Sequence, residues 1–240
     1  MVGPPLVCET ALGSETIDCP RSSVVDWLIW QFADSAFPTG GFVHSGGLEA
    51  AWQHGEIRGR ADLQAFIQAS LNQLGSSVLP FVSEVHRQPG KIEELDRLFD
   101  AFTTNHIANR ASRLQGLSLA TAAERIFAHP GFKPLHQPAL PFSHVALVFG
   151  FISQVVGLEL VRASRLFLFQ QLRTLTNAAV RLGIVGPMEG QTLQYRLAPL
   201  AELIVSRSLT QSLADLSQSM PLLDLWQGTQ GRLYSRLFQS

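Results

Sequence analysis

The chain has 240 residues, 46% of them hydrophobic and only 15% charged, against about 25% charged in an ordinary globular domain. Its 18 basic and 19 acidic residues give a formal charge of −1, which excludes a nucleic-acid binder that works through a basic surface. Fifteen Phe and four Trp argue against disorder, and Cys8 and Cys19 alone cannot make a disulfide framework.

Met1 to Ser22 has Gly, Pro, Thr and Ser without period and reads as a flexible lead-in, 1–22, ahead of a single domain, 23–240. It has no basic start, and Glu9, Glu15 and Asp18 interrupt any apolar run, so neither a signal peptide nor a span is expected. From Ser23 the pattern turns helical. Val24, Trp27, Leu28, Ile29, Trp30 and Phe32 put large apolar groups on nearly every side and predict a well-buried helix that stops at Pro38.

Leu48 to His54 is a short helix closed by Gly55. Asp62 to Arg87 reads as one long amphipathic helix with a kink at Pro80. Helices at Ile92 to Phe102 and Asn105 to Phe127 follow, with Glu93, Glu94 and Asp96 assigned to the solvated face of the first. His129 to Pro141, with four prolines, is the longest interior loop. Ser143 to Val156 is apolar all round and is expected at the centre of the core.

Glu159 to Leu182 is a long helix, Gly183 to Pro187 a connector, and Met188 to Ser206 and Leu209 to Leu216 have helical period. A tail, 217–240, completes the chain. In a helix, Leu233, Tyr234, Leu237 and Phe238 would share one arc, bordered by Arg232 and Arg236. Period-2 alternation is nowhere sustained. The fold class is all-α, a single-domain bundle of eight to ten helices.

Chemical motifs are scarce. Gly41 to Gly46 has the spacing of a phosphate loop, but Gly47 and Leu48 stand where Lys and Ser/Thr are needed. His44 and Ser45 do not make a nucleophile elbow, because Val43 takes the place of the first glycine; Ser45 reads as a helix cap. The seven histidines include no pair three or four apart on a predicted helix, so no metal site and no cofactor are assigned. No catalytic residue is assigned either. Only Lys91 and Lys133 are lysines and the other 16 basic residues are arginines, a balance that suits surfaces covered by other proteins.

Two segments combine glycine, polar and aromatic residues densely. Pro38, Gly40, Phe42, Ser45, Gly47, Leu48 and Glu49 lie in the register Pro-x-Gly-x-Phe-x-x-Ser-x-Gly-Leu-Glu. This resembles the N-terminal signature of the UreF urease accessory proteins, with Thr39, Gly41 and His44 resembling the eukaryotic form. Further on, His144 with Phe149 and Gly150, then Ala178 to Gly183 with Gly186 and Pro187, are similar to later blocks of that family. The second dense segment, Leu222 to Leu225, Gln227-Gly228 and Gly231 to Phe238, resembles its C-terminal signature. Gln230 departs from it, standing where the family pattern leads one to expect His.

The resemblance implies an all-α, dimer-forming, cytoplasmic protein that assembles with the UreD/UreH scaffold and the GTPase UreG and helps deliver nickel to apo-urease, without being an enzyme. It implies partner-binding residues at Pro38, Gly40, Phe42, His44, Ser45, Glu49 and Arg181, and along Gly231, Arg232, Leu233, Tyr234, Ser235, Arg236, Leu237 and Phe238. Two other classes stay open: a GTPase-activating role toward UreG, for which Glu49 or Arg181 is the available polar group, and a small-molecule enzyme on an all-α fold.

Overall fold

The computed structural model describes residues 21–39, 41–135 and 140–239. The lead-in expected over 1–22 falls outside them up to residue 20, as do Gly40 and residues 136–139. Among the described residues there are ten α-helices and no strand, the predicted all-α class. They are α1 Arg21–Ala33, α2 Leu48–Gln53, α3 Arg60–Ser77, α4 Leu79–Arg87 and α5 Ile92–Phe102. Then come α6 His106–Phe127, α7 Val145–Val155, α8 Leu160–Arg181, α9 Pro187–Ser208 and α10 Pro221–Thr229.

Helix α7 sits where its composition places it. Residues 146–153 are all buried, and α4, α5, α6 and α8 pack around it. Two of its contacts are close enough to require glycine. A Cβ on Gly150 would meet the Val82 carbonyl oxygen on α4 at 2.7 Å. One on Gly116 of α6 would strike the Ser143 carbonyl and approach the Val145 nitrogen to 2.7 Å. Backbones so close exclude any larger side chain.

The approach to α7 is held from another helix. His144 occupies its N-cap position without a side-chain cap of its own. Asp96 on α5 instead holds the turn that leads into α7, its carboxylate accepting the N–H groups of Phe142, Ser143 and the N-cap His144 at 2.8, 2.9 and 2.9 Å. Asp96 is fully buried, which corrects its assignment to a solvated face; Glu93 and Glu94 are exposed as expected. A buried carboxylate needs such donors, and the three N–H groups near a helix start need an acceptor. The same contact holds Ser143 at φ 59°, unusual for a residue with a side chain.

Three other expectations change. The Asp62–Arg87 helix is two helices that part at Val78, with Pro80 in the first turn of α4, where its missing N–H costs nothing. Helix α1 turns Trp27 and Trp30 outward, 69% and 60% exposed, while Phe32 enters the core. Periodicity alone overstated its burial, because α1 packs mainly on α8 with one face. Helix α9 runs on to Ser208, and the helix expected over Leu209 to Leu216 is reduced to one 3-10 turn, Leu213–Asp215. In the 129–141 loop, Pro130–Leu135 forms 3-10 turns.

Candidate functional site

The two signature segments lie at opposite ends of the chain and meet in space. The first begins after α1 with Phe37 buried and Pro38 exposed, and continues into a 3-10 turn, Gly41–Val43. Gly40 and the Phe42 side chain lie outside the described residues. His44 and Ser45 are buried; the N-cap of α2 is Gly47 and not Ser45, whose hydroxyl accepts the Glu49 N–H at 3.4 Å from two residues further back. Gly47 has φ 86°, and a Cβ there would stand 3.1 Å from the Gln227 nitrogen. Glycine is thus required twice, by the turn and by the close approach of α10.

Helix α10 is drawn onto this surface by several contacts. The Gln73 side-chain oxygen accepts the N–H groups of Ser219 and Met220 at 2.9 and 3.1 Å, at the entry to α10. Asn105 donates to the Asp224 carbonyl at 2.8 Å while its oxygen caps α6 at Ile107 and Ala108. Trp226 tilts against Phe66 with ring centroids 5.7 Å apart.

Glu49 then gathers the end of the chain. It is 1% exposed. One oxygen accepts the Leu237 N–H at 2.6 Å; the other accepts the Phe238 N–H at 3.1 Å and the Gln230 side-chain amide at 2.6 Å. Gln53 donates to the Ser235 carbonyl at 2.9 Å, and the Gln239 N–H reaches the Val43 carbonyl at 2.8 Å. Phe238 is buried, with the Arg181 guanidinium 4.3 Å from its ring centre. We call this arrangement the latch. Among the residues sequence reasoning missed, Gln230 and Gln53 are its side-chain donors. Gln230 carried a signal, as the one departure from the family pattern; Gln53 carried none.

The tail is not the helix that would place its four apolar residues on one arc. After a 3-10 turn, Gln230–Arg232, the chain leaves helical geometry, with Leu233 at φ −66° and ψ 139°. Phe238 therefore points inward and Leu233 is half-buried, while Tyr234 is fully exposed and Leu237 half exposed. Gly231, Arg232, Ser235 and Arg236 are exposed too. Glu49 prefers this shape, because an extended stretch presents two successive N–H groups that a helix would have spent on its own carbonyls.

The tail thus exposes Tyr234, Leu237, Arg232 and Arg236, and α10 exposes Leu222 and Leu225. Behind it, burial pushes the His44 imidazole down to about 4, so that ring is neutral at pH 7. Among the described residues no three His, Cys, Asp or Glu side chains are grouped to hold a metal ion. The titratable His144 pairs with Asp100 at 3.1 Å and Ser112 at 3.1 Å, as part of the α5–α6–α7 packing. The chemistry of the site is that of a clamp, with its carboxylate committed to tail donors.

Comparison with known proteins places this geometry in context. The UreF family model matches residues 57–198. The urease accessory protein F of Arabidopsis thaliana is 37% identical over 227 residues, covering 91% of this chain and 94% of that protein. The rice (Oryza sativa subsp. japonica) urease accessory protein F is 35% identical over 219 residues, 88% of this chain and 84% of the relative. The Mycobacterium tuberculosis H37Rv urease accessory protein UreF is 34% identical over 192 residues, 80% and 88% respectively.

Proposed function

The chain belongs to the UreF family of urease accessory proteins, and from that premise we propose that it is a non-catalytic assembly component of urease maturation. In this reading it acts in the cytoplasm as a homodimer. It binds a UreD/UreH-type scaffold and a UreG-type GTPase, and helps this assembly pass nickel, as cargo, to apo-urease. The observation that carries the reading is the latch. A buried carboxylate, Glu49, commits both of its oxygens to shaping the tail, and the tail turns Tyr234, Leu237, Arg232 and Arg236 outward.

Such a surface suits recognition of another protein. Aromatic and arginine groups are the usual anchors of interfaces, and a tail already held in shape loses less entropy on binding than a free one. In this account Pro38, His44, Ser45, Glu49 and Arg181 support the tail, and the tail makes the contact. That no helix among the described residues is long and apolar enough to cross a membrane is compatible with this role.

The test is co-expression of the full chain with the scaffold and the GTPase from the same source, followed by size-exclusion chromatography. A complex containing all three is expected. Recovery of the chain alone, when scaffold and GTPase are both soluble, overturns the reading.

A further inference from the structure

Several exposed arginines on this molecule have an acidic partner: Arg97 with Glu93, Arg162 with Asp26, Arg165 with Glu202 and Arg60 with Glu189. Two that face one cleft do not. Between α6 and the last residues of the chain lies a depression of about 350 Å³. Ile107, Ala111, Leu114 and Phe238 supply the apolar part of its lining, His44 and Gln239 line it too, and Arg110 and Arg236 complete it. No Asp or Glu lines it among the described residues, and neither arginine has an ion pair there. A second depression continues past Arg110 to Arg113, again without an acidic residue among those lining it.

We propose that this cleft receives an acidic segment of a protein partner, one that also brings an apolar side chain. The inference deepens the assembly reading above and rests on it. Charge complementarity identifies the occupant. In a chain with 19 acidic residues and a net charge of −1, a groove that gathers arginines and has no carboxylate among its described lining residues is electrostatically incomplete by itself. Guanidinium groups pair best with planar carboxylates, in two-pronged contacts.

The apolar part of the lining discriminates against a free phosphate. A phosphate would leave the exposed Leu114 wet, whereas a peptide side chain would cover it. Backbone N–H groups, the usual phosphate cradle, are not on offer either, because the Asn105 side chain already accepts those of Ile107 and Ala108 at the start of α6.

The cleft also depends on the latch. Arg236 lies between Ser235, whose carbonyl Gln53 holds, and Leu237, whose N–H Glu49 holds. One wall of the cleft therefore exists only while Glu49 keeps the tail in place.

The test measures capture of the scaffold and the GTPase by the full chain and by three charge reversals, Arg110→Glu, Arg236→Glu and, on α9 as a control, Arg207→Glu. Both cleft variants are expected to weaken capture about tenfold or more, the loss of one charge-assisted contact. The control is expected to leave capture unchanged. A peptide of alternating glutamate and leucine should compete with the partners, and inorganic phosphate at equal concentration should not. Capture by the wild type that both cleft variants match overturns the cleft and leaves the assembly reading standing. Competition by phosphate as effective as by the peptide overturns the peptide assignment. If the wild type captures neither partner, the assembly reading fails, and direct binding of the labelled peptide to the isolated chain then decides the cleft. Equal anisotropy for wild type and Arg110→Glu rejects it.

Discussion

The Glu49 carboxylate accepts the backbone N–H of Phe238 across 189 positions of sequence, at 3.1 Å. The contact ties the short helix that follows the N-terminal signature to the end of the chain. It makes the two most distinctive segments of this protein a single structure, and its removal has measurable consequences.

Glu49→Gln keeps one acceptor oxygen but turns an NH₂ toward either the Leu237 N–H or the Phe238 and Gln230 donors. Each hydrogen bond to a charged group is worth about 1.5–3 kcal/mol. Release of the tail lets water satisfy its donors, so the loss is confined to the latch. Hydrogen exchange is expected to show the Leu237 and Phe238 amides unprotected while α7 exchanges as slowly as before. Unchanged protection of the tail amides would count against the latch.

Gln230→Glu sets a second carboxylate against Glu49 in a buried site where two charges cannot both persist. The tail is expected to open at pH 7 and to close again in mild acid, as one proton comes to be shared. Exchange of the 230–239 segment followed from pH 7 to pH 4.5 reads this directly. The wild type, with its neutral amide, is expected to show no such recovery.

Gly116→Ala drives a methyl group into the Ser143 carbonyl and toward the His144 carbonyl carbon, 2.8 Å away. Backbone cannot yield as a side-chain tip does. The variant is expected to lose about 3 kcal/mol of stability or more in urea unfolding, at the upper end of overpacking effects. Gly231→Ala, with open space at its Cβ, serves as the neutral control.

Acid should destabilise the fold before its carboxylates titrate. Burial pushes His44 down to about 4 and lowers His86 and His144. The unfolded chain takes up these protons near pH 6.5 and the folded chain refuses them. The His44 contribution is therefore complete above pH 6.5 and is lost as the pH falls toward 4, roughly 2–3 kcal/mol, and His86 and His144 act in the same direction. The urea midpoint is expected to drop between pH 7 and pH 5, and His44→Gln to flatten that slope. For Asp100, burial acts upward, but hydrogen bonds from Asn109 and His144 outweigh it and hold the carboxyl below its ordinary value, adding to the loss at still lower pH.

The isolated chain is expected to bind nickel no more tightly than micromolar. Its described residues offer no group of three ligands, so any site would first have to be assembled at an ordering cost. Calorimetry on tag-free protein checks this; stoichiometric binding below micromolar would refute it.

Residue order was enough to reveal most of the helices and their core, though not α10, which lies in the expected tail. Apolar residues at 3.6-residue spacing mark a buried face wherever the helix lies, and α7, apolar all round, had only the centre to occupy. It was enough to reveal the family as well, through motifs at both ends of the chain. What those motifs do emerges only when the chain is folded. Asp96 and Glu49 each take two or more backbone N–H groups as partners. Nearly every residue carries an N–H, so such a contact leaves no pattern in residue types. Asp96 therefore looked like its solvated neighbours, and the tail's conformation stayed open, because periodicity registers side chains and not the acceptor that claims the backbone. The same blindness hid the cleft, whose arginines lie on α6 and the tail and line one depression only when the tail is held in place.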